Sequence, residues 1–330
     1  MRDTPYSFTV EIRRDDTVLA TIPASVRTCI EDARFRAVLT GAVPNDGGEP
    51  ALTVEPVWHT SGPPHVAAVR LRRPGAAPEL YGRRVFTPWA RSAIVELVRT
   101  ERLAAGDEIV WFVVARETPP AAPARFRGRA VRAPYPLCPR ALPRAAGEPG
   151  GLVVEIAEPV LAAVQAAALA AGPIECAALL TGELLHDREQ GVAALTVTGQ
   201  VPVVAGRGGA SGAHFAFGPE TFATARRAHT ARNDGSIVAG WFHSHPPCAE
   251  CVHQPGCTKD MLFFSHDDCL VHAAAFAEPY LVALVAGKAS DRPATDPGVG
   301  LFVWERGGVA ARALRPPDAA RPPVTEAALA

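Results

Sequence analysis

The sequence predicts an α/β protein of the α+β kind built from two units, and three observations predict it. At 330 residues the chain is too long for one average domain and comfortable for two. Both halves interleave short strand-like runs with helical periodicity. Between them lies a stretch rich in proline and arginine, which favours extended backbone over packed structure. The expected division is a small, separate α+β domain over 1–118, a linker over 119–150, a mixed-sheet domain over 151–312 and a loose tail over 313–330.

In the first domain, Tyr6 to Ile12, Val66 to Leu71 and Glu108 to Ala115 read as strands. Pro88 to Leu103 reads as a helix, with Trp89, Ala93 and Leu97 recurring at helical spacing and Ile94 and Val98 one turn apart. Gly106 and Asp107 then stop the pattern before the strand. His59 and His65 flank Gly-Pro-Pro and read as loop residues. The linker carries Arg125, Arg127, Arg129, Arg132, Arg140 and Arg144 before its first acid, Glu148. That strip reads either as a docking face for an acidic partner or as a solvated linker.

In the second domain, Leu152 to Ile156 reads as a strand, Glu158 to Ala171 as a helix ended by Gly172-Pro173, and Cys176 to Thr181 as a buried strand. A strand over Ala193 to Val204 and a glycine-rich loop over Gly206 to Gly212 follow; the loop lacks the Gly-Lys-Ser/Thr ending of a phosphate cradle. Pro219 to Arg232 reads as a helix, with proline suited to its first turn. Ile237 to Phe242, Tyr280 to Ala286 and Gly300 to Trp304 complete the strands.

Composition narrows the function. A formal net charge of -1 gives no global reason to expect nucleic acid or an anionic membrane as partner. No run approaches the roughly 18 to 20 apolar residues of a membrane span. The N-terminus lacks the basic, then apolar, then small-residue order of a secretory signal, so a cytoplasmic location is expected. There the seven cysteines would serve as thiols or metal ligands rather than disulfides.

The chemistry gathers in the second half. Gly240-Trp-Phe-His-Ser-His-Pro places His243 and His245 two apart at the end of a strand, where alternation turns both imidazoles to one face. Neutral imidazole is a good zinc ligand, and a catalytic zinc takes three protein ligands and leaves a fourth position open. Ser265-His-Asp-Asp268 offers a carboxylate, followed by what reads as a helix. Each piece alone has a plainer reading: two surface histidines, a helix capping box, one carboxylate after a Gly-Pro turn.

Together, Glu175 within Pro-Ile-Glu-Cys-Ala-Ala-Leu-Leu-Thr-Gly182, then Gly-Trp-Phe-His243-Ser-His245-Pro, then Ser265-x-x-Asp268, the chain resembles the JAMM (MPN-plus) metalloprotease family in its prokaryotic JAB branch. The resemblance covers residues 151–306 and implies a JAB/MPN-type, cytidine-deaminase-like mixed β-sheet flanked by helices. It implies a catalytic Zn2+ held by His243, His245 and Asp268, Glu175 as general base and Ser265 as donor to the oxyanion. The family's serine-to-aspartate offset selects Asp268 over Asp267. The implied substrate is the bond following the C-terminal glycine of a ubiquitin-like or sulfur-carrier protein, with an activating enzyme of the same pathway as a further partner. A non-catalytic scaffold of the same fold is the alternative.

The sequence departs from the family between His245 and Asp268, where 22 residues stand. The insertion holds Cys248, Cys251, His253 and Cys257, and a C-x2-C hook followed by another cysteine has zinc-knuckle spacing. A second, structural zinc is expected there, with His253 as nearest fourth ligand and Cys138, Asp260 and Cys269 as further candidates. A redox pair or free thiols is the other reading.

Overall fold

The computed structural model describes residues 6–46, 52–60, 64–104, 106–117, 133–142, 147–203, 210–211, 214–215, 219–247, 258–289, 291 and 296–314. In the first half, β1 (Tyr6–Arg14), β2 (Thr17–Ala24), α1 (Arg27–Leu39), β3 (Thr53–Trp58), β4 (Val66–Arg72), β5 (Glu79–Gly82), α2 (Thr87–Arg99) and β6 (Val110–Glu117) follow one another. They form two antiparallel sheets, ordered β2-β1-β6 and β3-β4-β5. Their core is Val10, Ile12, Val54, Val69, Tyr81, Phe86 and Leu97, all buried.

The second half opens with β7 (Leu137–Pro139), β8 (Leu152–Ile156), α3 (Glu158–Ala171), β9 (Ala177–Asp187) and β10 (Val192–Val203). It continues with the short pair β11 (Ala210–Ser211) and β12 (His214–Phe215), then α4 (Pro219–Arg232), β13 (Ile237–Ser244) and α5 (His266–Ala275). The last strands are β14 (Val282–Gly287), β15 (Gly298–Glu305) and β16 (Gly308–Arg312). The main sheet is mixed, ordered β16-β15-β14-β13-β9-β10-β8. Its central strands are buried nearly throughout, as expected of strands covered on both faces. The parallel pair β13 and β14 is joined through α5, the crossover that parallel pairing requires.

Two features lie where the two halves meet. The helix α1 was not legible as a separate element, and it serves two cores: Cys29 and Ala33 face the first domain, while Phe35, Val38 and Leu39 pack into the second. An element buried on opposite sides shows no single apolar stripe. The described end of the proline-rich segment also belongs to the fold. Beyond Gly182, where β13 leaves β9, β7 takes up the vacated edge in parallel register, pairing Leu137 with Leu184. Tyr135 is buried and exchanges two hydrogen bonds with Asn45: its N–H donates to Oδ1 at 2.8 Å and its carbonyl accepts from Nδ2 at 2.9 Å. The arginines at 125, 127, 129, 132 and 144, and the tail beyond 314, lie outside the described residues.

Candidate metal centre

The site is built where β13 ends. Gly240 has φ +151°, and a Cβ there would meet the Val282 carbonyl oxygen at 1.9 Å, so only glycine fits this close pass between β13 and β14. The register of β13 on β9 shifts between Val238 and Gly240, a bulge that re-aims the strand's last turn of side chains. Beyond it, alternation puts Trp241, His243 and His245 on one face.

The third group comes from α5. Ser265 is its N-cap: the Asp268 N–H donates to Ser265 Oγ at 3.1 Å, and the Ser265 N–H donates to Asp268 Oδ2 at 2.6 Å. The capping box is therefore realised, and the carboxylate that satisfies the helix start also faces the histidines. Asp268 Oδ1 lies 3.0 Å from His243 Nε2, and Oδ2 lies 3.5 Å from His245 Nε2. The two Nε2 atoms are 3.1 Å apart. Asp267 points away, with its side chain 61% exposed.

His243, His245 and Asp268 are all buried, and their ligand atoms lie within 4.8 Å of one another. The groups around them suit a cation. His245 Nδ1 lies 2.9 Å from the Met261 carbonyl oxygen, which can only accept; Nδ1 therefore carries the proton, and a neutral ring turns a lone pair at Nε2 toward His243 and Asp268. Two imidazole nitrogens and a carboxylate held this close are the donor set of a zinc site with an open position.

The electrostatics agree. Burial alone would raise Asp268, but its bonds to His243 and His245, the His243 charge and the Ser265 side chain hold the carboxyl far below the usual carboxylate range. Burial would lower His245, yet the bonds to Asp268 and the Met261 carbonyl, with the charges of Asp268 and Glu175, raise it. The charge of Glu175 is felt at His245. Its position follows from β9: the Ser244 N–H donates to the Cys176 carbonyl at 2.9 Å, and the Cys176 N–H donates to Ser244 Oγ at 2.9 Å, so the ladder runs on to bring Glu175 opposite His245.

Cys248, Cys251, His253 and Cys257 lie outside the described residues. Of the further candidate donors, Cys138 is an exposed free thiol, and Cys269 is buried with its thiol pushed up to about 11 by burial and the Asp268 charge. Three residues that sequence reasoning did not single out complete the surroundings. Met261 contributes only a backbone carbonyl, which leaves no side-chain signal. Trp241 stacks on His243, and His272 accepts a hydrogen bond from the Trp241 indole. Their spacing, two before His243 and four after Asp268, was the available clue. His272 is fully buried and its pKa is pushed down to about 3 by loss of solvent, against the opposing charge of Asp268.

Residues 157–250 match the family model of prokaryotic homologs of the JAB domain. Among solved structures, protein DSY2949 from Desulfitobacterium hafniense is similar at 22% identity, over 50% of this chain and 94% of that one, with a TM-score of 0.35. A protein from Salinibacter ruber is similar at 15% identity, over 51% of this chain and 94% of that one, with a TM-score of 0.31. No curated protein matches the chain. No helix among the described residues is long and apolar enough to cross a membrane.

Proposed function

With a prokaryotic JAB domain in its second half as the premise, we propose that this protein is a zinc-dependent peptidase or isopeptidase. Its substrate would be the bond after the C-terminal glycine of a ubiquitin-like or sulfur-carrier protein. The observation that carries the proposal is the convergence of His243, His245 and Asp268 on one point, with Glu175 opposite His245 along the β9–β13 ladder. A zinc ion held there supplies a Lewis acid and lowers the pKa of water to about 7.

The chain's own residues divide the remaining work. Glu175 takes the proton of the attacking water and passes it to the leaving amine. Ser265 Oγ accepts the Asp268 N–H, and its hydroxyl would donate its proton to the oxyanion that forms on the substrate carbonyl. Met261, through its carbonyl, keeps the His245 ring in the tautomer that binds metal. The Cys248, Cys251, His253 and Cys257 insertion would hold a second, structural zinc and border the substrate path. An activating enzyme of the same modification pathway is the further partner proposed, and the cytoplasm the compartment.

Metal analysis and a cleavage assay test the proposal together. The wild type should hold one zinc that His243→Ala loses and Cys248→Ala keeps, and should cleave a fusion following the terminal glycine of a ubiquitin-like protein. Any second zinc should be the one Cys248→Ala loses. Zinc without cleavage of any glycine-ended substrate would favour the non-catalytic scaffold instead, and a wild type that holds no zinc at His243 would end the hydrolase reading.

A further inference from the structure

The metal ligands come from two elements, β13 and α5, whose separation has to be fixed for three donors to meet. A side-chain hydrogen bond outside the ligand set joins them. The Trp241 indole N–H donates to His272 Nδ1 at 3.0 Å. Both side chains are fully buried.

The geometry is directed at His243. The Trp241 ring lies on the His243 ring with centroids 4.7 Å apart and planes 15° from parallel. His272 stands one helical turn after Asp268, on the same face of α5. It is clamped in turn by Trp304, stacked at 4.7 Å, and by Phe264, edge-on at 5.7 Å. Through this chain of contacts the plane of the His243 imidazole is fixed by the helix that carries Asp268. Packing alone does not call for such a pair, since phenylalanine and leucine would fill the same space with no buried polar atoms to satisfy. A hydrogen bond is directional where an apolar contact is not, and His272 Nε2 has no hydrogen-bond partner among the described residues, so the histidine contributes one oriented bond and no more.

We propose that Trp241 and His272 are a positioning pair for the metal centre, setting the plane and reach of His243 relative to Asp268. Neither touches the metal or the substrate. The inference rests on the zinc site of the preceding section, and its test reads the metal rather than turnover.

The full-length protein would be stripped of metal and titrated with Zn2+ against a chromophoric chelator, and separately with Co2+, whose visible spectrum reports ligand geometry. His272→Leu leaves the indole N–H without an acceptor and should weaken Zn2+ binding by about 10- to 100-fold, as removal of outer-shell partners does. Trp241→Phe keeps a stacked ring but deletes the donor, and should lose about 10-fold with a changed Co2+ spectrum. His272→Gln offers an amide oxygen to the same N–H and should stay within about threefold of wild type.

Should His272→Leu fail to fold, Trp241→Phe reads the same bond. Wild-type Zn2+ affinity and Co2+ spectrum in both His272→Leu and Trp241→Phe would reduce the pair to core packing. Equal losses in His272→Gln and His272→Leu would show that the bond is not what matters. A wild type that binds no Zn2+ removes the metal reading itself, a result distinct from a wild type that binds Zn2+ no better than its variants do.

Discussion

Asp268 has two duties, and substitutions can separate them. Its carboxylate accepts the Ser265 N–H at 2.6 Å, closing the capping box, and stands 3.0 Å from His243. Asp268→Asn keeps an oxygen for the N–H and loses the negative charge at the helix N-terminus, a loss of about 0.5–1 kcal/mol. Asp268→Ala loses the bond as well, adding about 1 kcal/mol. At about 2–4 °C per kcal/mol for a protein of this size class, the melting temperature of the metal-free protein should fall in the order wild type, Asn, Ala. Zinc affinity should rank differently. An amide is a poor zinc ligand, so Asn and Ala should lose alike, by more than the roughly 100-fold that an outer-shell change can produce. Melting curves of the metal-free variants and chelator competition give the two rankings. If Asp268→Asn bound zinc as the wild type does, Asp268 would be a helix cap and nothing else, and the metal centre would lose its carboxylate.

Further outcomes follow from the same geometry. Glu175→Gln should hold zinc normally but lower kcat by about 100- to 10,000-fold, the range of a positioned general base; undiminished cleavage would remove Glu175 from the mechanism. Ser265→Ala should lower kcat by about 100- to 1,000-fold with little change in zinc content, and should also cost about 1 kcal/mol of stability as a lost cap. His245 is lowered by burial but raised more by Asp268, Met261 and Glu175, so its folded pKa lies above the ordinary 6.5. Its protonated form stabilises the metal-free protein fully below that ordinary value, and this stabilisation is lost as pH rises through the raised one. Zinc requires the neutral ring, so zinc affinity should climb with pH across this window and binding should release protons; calorimetry in buffers of different ionisation enthalpy measures the release, and pH-independent binding would contradict the assignment.

The cluster of His243, His245 and Asp268 was legible because each part announces itself locally. His243 and His245 show the period of two that a strand imposes, and Ser265 with Asp268 shows the offset of three that a capping box and the family motif share. Most elements of the second half were legible for the same reason, with α3 and α4 at their expected bounds. In the first half β1, β4 and β6 appeared, while β2, β3 and β5 did not; the burial along β2 alternates only over its second half, so its period-two signal is short. The helix α2 ends at Arg99 rather than at Leu103, because Thr100 turns its hydroxyl back onto the Glu96 carbonyl at 2.7 Å and Glu101 takes a positive φ of 56°. The outer shell of the site stayed hidden, since the Met261 carbonyl and the His272 acceptor gain meaning only once β13 and α5 are side by side.

The placement of α1 changes how the two halves relate. A helix that fills two cores ties the stability of each to the other. Thr28 reinforces the tie by donating its hydroxyl proton to the Gly307 carbonyl at 2.8 Å, and His186 Nε2 lies 3.0 Å from the Leu39 carbonyl. The first domain also reaches the metal centre, because α2 packs on α5 and the charge of Arg91 is felt at His266 and Cys269. If the halves were independent, Phe35→Ala would affect only the first. The packing says otherwise: truncating Phe35 empties space between Tyr135 and Tyr280, at a cost of about 3–5 kcal/mol. Metal-free protein carrying it should melt in a single lowered transition, and two transitions with only one of them shifted would show that the halves fold apart.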